Sequence, residues 1–395
     1  MYQRLQNFAD LGQNSCFLWG PRQSGKSTLL KNLFPTAPYY DLLLSEEFER
    51  LTRNASLMRQ ELLAQSVSGP IIIDEVQKIP KLLDEVQWLM VNHHMQFILS
   101  GSSARKLRRG GGNLLGGRAV RYELHPLVSA EISDFDLLQA LNHGLLPRHY
   151  SVTESKRLRS AYVGDYLKEE IVAEALTRNI PAFAKFLEAA AFSQAEIVNY
   201  TNIAQECGIS VTTVRDYFQI LVDTLIGYFL PAYRKKAKRR VIQAPKFYFF
   251  DVGIANTLLK RDHIEFGSES FGRAFEHFIF QELIAHRDYS SYEYAISYWR
   301  TASGFEVDFI LGEGDIALEV KGVPEVQTRH LKGLRAFSQD HTAKKLVIVS
   351  LDHKPRIIDG IHILPWQEFL RLLWQGELFV NSFYDAHSFP SILKK

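Results

Sequence analysis

Nine residues near the start of the chain decide how its first part folds: Gly20-Pro21-Arg22-Gln23-Ser24-Gly25-Lys26-Ser27-Thr28. They match the phosphate-loop pattern G-x-x-x-x-G-K-[ST]. The two glycines let the backbone curl so that successive N–H groups point at phosphate oxygens. We expect Lys26 to reach the β- and γ-phosphates and the Ser27 hydroxyl to ligate Mg²⁺. The nine residues are therefore predicted to bind a nucleoside triphosphate.

The residues on either side of this loop support that interpretation. Residues 16–19 are apolar and predict a short buried strand, and residues 27–33 predict a helix. The positive end of such a helix would face the phosphates. A chance glycine-rich turn is the alternative, and the strand–loop–helix context argues against it.

Length and composition narrow the class of protein. A chain of 395 residues is too long for one ordinary core, so two or three domains are expected. The net charge of +2 requires any nucleic-acid surface to be local. Only two cysteines, Cys16 and Cys207, are present, which argues against a disulfide framework. No apolar run approaches the ~20 residues that span a bilayer, so the default expectation is a cytoplasmic protein without a membrane partner.

The apolar pattern predicts an α/β fold with four segments. Strands are predicted at residues 16–19, 38–43, 70–74, 96–100 and 120–124, alternating with helices, which indicates a mainly parallel sheet over residues 1–130. Residues 131–192 are predicted as a helical lid or linker. Residues 193–255 predict a small helical module followed by a hairpin, and residues 256–395 a second α/β domain.

Two acids end the strand predicted at residues 70–74. Asp74 lies where a carboxylate is needed to orient Mg²⁺, and Glu75 lies where a general base can polarise the attacking water. The pattern is weak alone and strong together with the phosphate loop. On the next strand, Ser100 or Ser102 could sense the γ-phosphate, and a capped strand end explains these hydroxyls equally well.

A basic, glycine-rich stretch follows at residues 105–118. Such a stretch suggests a mobile cationic loop. Arg118 is a candidate for stabilising transition-state charge, in its own subunit or in a neighbour's. The alternative is a solvated loop.

Together, GPRQSGKST, IIIDEVQKIP, LSGSSARKLRRGG and NLLGGRA resemble the bacterial and archaeal AAA+ ATPases of AAA_14 type that carry a DUF4143 C-terminal region. The resemblance implies an ASCE-type P-loop core, with an extra strand between the loop strand and the Asp74 strand. It also implies ATP rather than GTP. By analogy, AAA+ resemblance suggests a homo-oligomeric ring.

Residues 199–250 resemble a winged helix. A short helix ends at Gly208, Ser210 is a natural N-cap, and a longer helix follows. Between two predicted strands, six of the seven residues 234–240 are basic. DNA contacts are therefore predicted on the second helix and on this wing. The candidate residues are Thr212, Thr213, Arg215, Arg234, Lys235, Lys236, Lys238, Arg239 and Arg240. A protein–protein module or an AAA+ lid is the alternative.

Near the C-terminus, two alternating strands flank the turn at residues 312–315. A four-residue turn pairs Leu311 with Ile316, which places Asp308 opposite Glu319 and Glu306 opposite Lys321. Like charges about 5 Å apart are destabilising, and Mg²⁺ or Mn²⁺ between Asp308 and Glu319 would remove that cost. Lys321 could orient or deprotonate a water and stabilise developing charge.

A third acid, Glu276, lies at helical spacing with apolar residues and needs a partner. The Glu276 helix, Asp308 and Glu319-x-Lys321 together resemble the PD-(D/E)xK nuclease fold, although no proline precedes Asp308. The resemblance implies that Glu276, Asp308 and Glu319 hold the metal. The alternative is a surface hairpin with paired ions.

The sequence thus predicts an ATP-hydrolysing AAA+ protein that acts on DNA, with a metal-dependent nuclease-like C-terminal domain. The alternative is an ATP-switched binding protein that does not cleave.

Overall fold

The computed structural model describes residues 2–380, except residues 9, 10, 13, 104, 106, 108–114, 167–178, 236–238, 240 and 262. The chain forms two compact units. The first comprises Met1–Leu127, Leu145–Ala189 and Tyr200–Tyr228, and the second comprises Val128–Gly144, Ala190–Asn199 and Phe229–Lys395. Each unit is therefore built from three separate stretches of chain. The predicted division into four segments remains a prediction.

The helices of the described residues are labelled in chain order. They are α1 (Lys26–Leu33), α2 (Ser45–Arg53), α3 (Ser56–Leu63), α4 (Leu82–His93), α5 (Leu137–His143), α6 (Pro147–Ser151), α7 (Ser155–Ala161), α8 (Ile180–Phe192), α9 (Tyr200–Cys207), α10 (Val211–Asp223), α11 (Val252–Leu258), α12 (Glu269–Tyr289), α13 (Lys332–Asp340) and α14 (Trp366–Trp374). Within the part of the chain that the structure describes, no helix is long and apolar enough to cross a membrane.

The first unit contains a five-stranded sheet. Its strands are β1 (Ser15–Trp19), β2 (Tyr39–Asp41), β3 (Ile71–Asp74), β4 (Phe97–Gly101) and β5 (Ala119–Glu123). Their order is β2-β3-β4-β1-β5, and every pair is parallel. Because β4 separates β1 from β3, the sheet has the extra strand that the AAA+ resemblance implies. The carboxyl ends of β1 and β3 meet at one edge, which brings the phosphate loop and the acid pair together.

Helix packing on both faces explains why the central strands are apolar throughout. All residues of β1, β3 and β4 are buried. Ile71, Ile73, Leu99 and Phe17 belong to one core cluster, which also holds Val86 of α4. Strands buried on both faces read as continuous apolar runs rather than as alternating ones.

The second unit contains a six-stranded sheet. Its strands are β8 (Ile296–Arg300), β9 (Glu306–Leu311), β10 (Ile316–Lys321), β11 (Lys345–Ser350), β12 (Arg356–Ile358) and β13 (Ile361–Pro365). They lie in the order β12-β13-β11-β10-β9-β8. Strands β9 and β10 form the predicted hairpin, and its register pairs Ile316 with Leu311. One sheet face is covered by α13, which packs in a cluster with Ile310 and Ala317.

The helices of the predicted winged-helix module are present. The Ser210 hydroxyl accepts from the backbone N–H of Thr213 and caps α10, and Gly208 after α9 has a φ of 67°. A two-stranded sheet pairs β6 (Gly227–Leu230) with β7 (Lys246–Phe249). The segment between these strands bridges to the C-terminal sheet at Ala232↔Tyr298 and at Val241↔Thr301.

Candidate functional site

The phosphate loop lies between β1 and α1, and its backbone is left-handed at Gln23 (φ 64°) and Gly25 (φ 97°). Gly20 is required, because a Cβ there would lie 2.5 Å from the carbonyl oxygen of Leu124. Lys26 Nζ donates to the carbonyl oxygens of Gly20 (2.7 Å) and Pro21 (3.1 Å). The lysine is therefore folded back over its own loop.

Ser27 and Asp74 are in direct contact. Ser27 Oγ donates to Asp74 Oδ2 over 2.6 Å, and the Tyr39 hydroxyl donates to the same oxygen over 2.6 Å. Asp74 is 1% exposed. Burial, followed by the hydrogen bond and the charge of Asp74, raises the pKa of Tyr39.

These residues suit a Mg²⁺–triphosphate. A hydroxyl and a carboxylate are oxygen ligands of the kind that Mg²⁺ prefers. Ser24 Oγ is buried in the loop and has no hydrogen-bond partner among the described residues. A buried hydroxyl without a partner is costly, and a phosphate oxygen would satisfy it. Ser27 and Asp74 are therefore the residues that would hold the metal.

Glu75 is held by a residue that sequence reasoning missed. It follows β3 with a φ of 59° and is 7% exposed. Gln77 Nε2 donates to Glu75 Oε2 (2.5 Å) and to Ser102 Oγ (3.1 Å). Room for Gln77 depends on Gly101, where a Cβ would lie 2.3 Å from Gln77 Oε1. Gln77 thus joins the candidate base to the candidate γ-phosphate sensor. Its only signal in the sequence is its place within IIIDEVQKIP.

The basic loop is described in part. Arg105 forms an ion pair with Asp223 over 2.7 Å. Arg118 is exposed, and its guanidinium forms no hydrogen bond or ion pair with any described residue. Arg108 and Arg109 lie outside the described residues. The role of Arg118 in stabilising transition-state charge therefore stays a prediction.

The predicted DNA-contacting residues of α10 divide into two kinds. Thr212 and Arg215 are exposed, whereas Thr213 is half-buried, with its Oγ1 2.8 Å from the cap hydroxyl of Ser210. The Arg215 guanidinium lies 4.7 Å from the ring centroid of Tyr200. Thr213 therefore serves the helix cap.

The basic run 234–240 does not form a free wing where it is described. Arg239 forms an ion pair with Asp340 (2.8 Å) and donates to the carbonyl of Ala336 (2.9 Å), both of which belong to α13. Lys235 Nζ donates to the carbonyl of Glu313, and Arg234 is exposed. The side chain of Arg239 is therefore already engaged by a buried acid and a helix carbonyl, and its predicted DNA contact stays a prediction. Lys236, Lys238 and Arg240 lie outside the described residues.

Asp308 and Glu319 lie together in the C-terminal domain, each 6% exposed. Lys321 Nζ is 2.6 Å from Glu319 Oε1 and 4.0 Å from Asp308 Oδ2. The backbone N–H of Val320 donates to Asp308 Oδ2 over 2.8 Å. Burial and the nearby Asp308 raise the pKa of Glu319 to about 8. Burial alone would lower the pKa of Lys321, but the charges of Asp308 and Glu319 raise it above its usual value.

Lys246 of β7 is a second residue that sequence reasoning missed. It is 2% exposed, and its Nζ lies 2.6 Å from Glu306 Oε1 and 3.4 Å from Glu276 Oε1. The Tyr248 hydroxyl donates to Glu276 Oε1 over 2.6 Å. Burial raises the pKa of Glu276 to about 7, against the opposing charge of Lys246. Glu306, predicted to lie opposite Lys321, forms its ion pairs with Lys246 and, over 3.2 Å, with Arg300.

Asp308 and Glu319, which lie on the two hairpin strands, have the properties of ligands for a divalent cation. Glu319 Oε2 is buried and has no hydrogen-bond partner among the described residues. Together with Asp308 it offers the carboxylate oxygens that Mg²⁺ or Mn²⁺ binds. In the part of the chain covered by the structure, Glu276, Asp308 and Glu319 do not bring three ligand atoms within 4.8 Å of one another. Asp308 and Glu319 therefore fit a metal, and Glu276 is engaged with Lys246.

The sheet order, the phosphate loop after β1 and the acids after β3 define a P-loop core of AAA+ type, followed by a C-terminal sheet domain. Residues 12–133 match the family AAA_14, described as an AAA domain. Residues 271–369 match DUF4143, and residues 134–265 match DUF8612, both described as domains of unknown function. The resemblance drawn from the motifs to AAA_14-type chains with a DUF4143 region is thus confirmed.

No curated protein matches the chain. Among solved structures, the Aeropyrum pernix ORC1 protein in complex with DNA is similar at 12% identity, over 62% of this chain and 86% of that chain. Its TM-score is 0.22, and a likeness at that level supports no conclusion about what this chain binds.

Proposed function

We propose that this protein hydrolyses ATP in its AAA domain and couples that reaction to the handling of DNA. The contact between Ser27 and Asp74 carries the proposal, because it joins the phosphate loop to the acid pair. Bound Mg²⁺ would neutralise charge on the β- and γ-phosphates. Lys26 would leave the carbonyls of Gly20 and Pro21 and bind phosphate oxygens.

Glu75 is assigned as the general base. As water attacks the γ-phosphorus, its proton passes to Glu75, the bond from phosphorus to the bridging oxygen breaks, and ADP leaves. Gln77 fixes the carboxylate, and its contact with Ser102 supports a role for that hydroxyl in sensing the γ-phosphate.

The experiment is a comparison of ATP binding with ATP turnover. Lys26→Ala should lose both. Glu75→Gln should bind ATP with wild-type affinity and lose at least about 100-fold in turnover. Normal hydrolysis by Glu75→Gln would show that Glu75 is not the base, and undetectable calorimetric binding of ATP to the folded wild-type protein would refute the whole proposal.

For the C-terminal domain we propose metal-dependent hydrolysis of phosphodiesters. Asp308 and Glu319 would hold Mg²⁺ or Mn²⁺, which activates water and stabilises charge on the phosphoryl oxygens. Lys321 would add positive charge beside the same oxygens. The unpartnered, buried Glu319 Oε2 supports this role.

A second function is favoured by Lys246. A cation already lies between Glu276 and Glu306, so one of the three acids that a PD-(D/E)xK site would use is partly neutralised by the protein itself. This arrangement suits a docking module in an ATP-switched, DNA-binding regulator. The discriminating experiment incubates single-stranded, duplex and branched DNA with Mg²⁺ or Mn²⁺. Cleavage that Lys321→Ala abolishes, with ATPase activity intact, supports the nuclease. Tight nucleotide-dependent DNA binding without cleavage supports the regulator.

DNA contact is proposed at the exposed residues of α10. Arg215→Gln should weaken DNA binding similarly for different sequences, as expected for a phosphate contact. Retained affinity would remove α10 from the proposed DNA surface.

A further inference from the structure

A pocket in the second unit is lined by none of the acids of the C-terminal domain. It is an open surface pocket between the end of α8, the end of α11 and the first half of α12. Its lining includes Arg261, Arg273, Gln194 and Phe192. Neither the ATPase nor the nuclease-like chemistry uses these residues.

Two arginines contribute positive charge to this pocket. Arg261 is half-buried, and its guanidinium forms no hydrogen bond or ion pair within the described part of the chain. Arg273 is 43% exposed, with its guanidinium 3.6 Å from a carboxylate oxygen of the equally exposed Glu196. Burial, followed by the like charge of Arg273, lowers the pKa of Arg261, and Glu269 opposes that effect. Two guanidinium groups near one pocket repel each other, and an anion between them would remove that repulsion.

A buried amide adds a third hydrogen-bond donor. Gln194 is 6% exposed, and its Oε1 accepts from the backbone N–H of Phe249 over 2.9 Å. Its Nε2 has no hydrogen-bond partner among the described residues. An unsatisfied buried donor costs about 1–3 kcal/mol, and an oxyanion in the pocket would satisfy it. The other buried polar groups of the lining are already engaged: Asn256 Nδ2 donates to the carbonyl of Leu141, and His277 Nε2 lies 2.7 Å from that of Phe249.

An exposed aromatic ring lies beside these donors. Phe192 is 66% exposed, which is unusual for phenylalanine. A nucleic-acid base stacks well on such a ring, and base–aromatic stacking contributes about 1–3 kcal/mol.

We propose that this pocket binds the terminal phosphate of a nucleotide, with Arg261 and Arg273 on its oxygens, Gln194 Nε2 donating a third hydrogen bond and Phe192 stacking on the base. A phosphate monoester carries close to two negative charges, which match two guanidinium groups better than the single charge of an internal phosphodiester. The same chemistry is offered by the phosphorylated end of a strand and by a free mononucleotide.

One acid of the PD-(D/E)xK resemblance, Glu276, lies on the same helix as the pocket residue Arg273. Arg273 and Glu276 are three residues apart on α12 and are neighbours on its surface. A strand end held here would therefore begin within one helical turn of Glu276. The binding site does not depend on whether that centre cleaves.

The test measures binding without metal, in EDTA, so that cleavage does not contribute. Fluorescence anisotropy is recorded with one labelled single-stranded oligonucleotide in 5′-phosphorylated, 3′-phosphorylated and unphosphorylated forms, and thymidine monophosphate is used as competitor. The wild-type protein should prefer one phosphorylated form by about 10-fold. Arg261→Gln/Arg273→Gln should lose that preference, and Arg273→Lys should retain part of it. Arg335→Gln, which alters an arginine paired with Asp359, should keep it.

The pattern of oligonucleotide preference and mononucleotide competition shows which ligand the pocket binds. Preference for a phosphorylated strand, with weak competition by the mononucleotide, assigns the pocket to strand ends, and equally strong competition assigns it to free nucleotides. If the wild-type protein does not distinguish the oligonucleotides and the mononucleotide does not bind, or if the folded double variant keeps the wild-type preference, the proposal is wrong. Gln194→Glu keeps the acceptor for Phe249 and places a carboxylate against the phosphate. It should reduce the preference even where the double variant fails to fold.

Discussion

Gln77 Nε2 lies 2.5 Å from Glu75 Oε2 and 3.1 Å from Ser102 Oγ, so one amide group joins the residues that follow two neighbouring strands. All three residues are buried. A carboxylate held in this way keeps one orientation toward an attacking water. A general base without such support would rotate and lose alignment.

Gln77→Met should therefore lower the turnover number for ATP by about 10- to 100-fold, because effective base catalysis requires a fixed geometry. ATP affinity should change little, since Gln77 lies beside the base and outside the phosphate loop. Steady-state hydrolysis and calorimetric binding measure the two effects. Gln60→Met, at an exposed position of α3, is the matched control. Unchanged turnover in Gln77→Met would separate Gln77 from the reaction.

Lys246→Met should destabilise the protein by up to about 3 kcal/mol, because it leaves the half-buried Glu276 and Glu306 without their shared cation. Urea unfolding followed by circular dichroism measures the loss. The double variant Lys246→Met/Glu306→Gln removes one of the stranded charges and should recover part of the stability. Glu306→Gln is measured alone as well. If the loss in the double variant equals the sum of the losses in the two single variants, Lys246 and Glu306 are not coupled.

Gly333→Ala should disrupt the C-terminal domain. A Cβ at Gly333 in α13 would lie 2.0 Å from the carbonyl oxygen of Glu306 and 3.3 Å from Glu319 Oε2. Backbone cannot yield by that amount without moving the strand that carries Asp308. Gly272→Ala on α12 is the matched control, since its Cβ would meet nothing within 4 Å. The control should be neutral or stabilising by up to about 1 kcal/mol in thermal unfolding. Equal melting temperatures for the two variants would contradict the close approach of α13 to β9.

His149 should make stability depend on pH. It is 0% exposed and neither ring nitrogen has a hydrogen-bond partner in the described structure. Burial, followed by the charges of Arg159 and Arg148, lowers the pKa of His149 to about 4. In the unfolded chain the His149 side chain therefore binds a proton near pH 6.5, whereas in the folded chain it binds one only near pH 4. The free energy of unfolding is therefore unaffected by His149 above about pH 6.5 and falls as the pH drops from 6.5 toward 4. At pH 5 the loss is about 2 kcal/mol.

His149→Phe should remove this dependence. Phenylalanine keeps the edge-on ring contact with Tyr162 and introduces no titratable group. Unfolding free energies at pH 8 should be similar for the two proteins, and at pH 5 the variant should be the more stable. A variant that loses as much stability as the wild-type protein between pH 8 and pH 5 would exclude His149 as the source.

Features encoded locally could be predicted from the sequence. The phosphate loop, the acids after β3 and the hairpin that pairs Leu311 with Ile316 all follow from residue spacing and turn length. Each involves neighbours in the chain, or strands whose carboxyl ends must meet in a parallel sheet. The helix cap at Ser210 belongs to the same class.

The tertiary structure alone decided how the charged side chains pair. Lys246 binds Glu276 and Glu306, far along the chain, and Arg239 binds Asp340 instead of standing free in a wing. A charge inside a fold requires a counter-charge because desolvation is costly, but the nearest one in space is set by packing rather than by spacing. The sequence by itself determined which residues could form a phosphate site and an acidic centre. The packed chain determined which lysine, amide or arginine each acid holds.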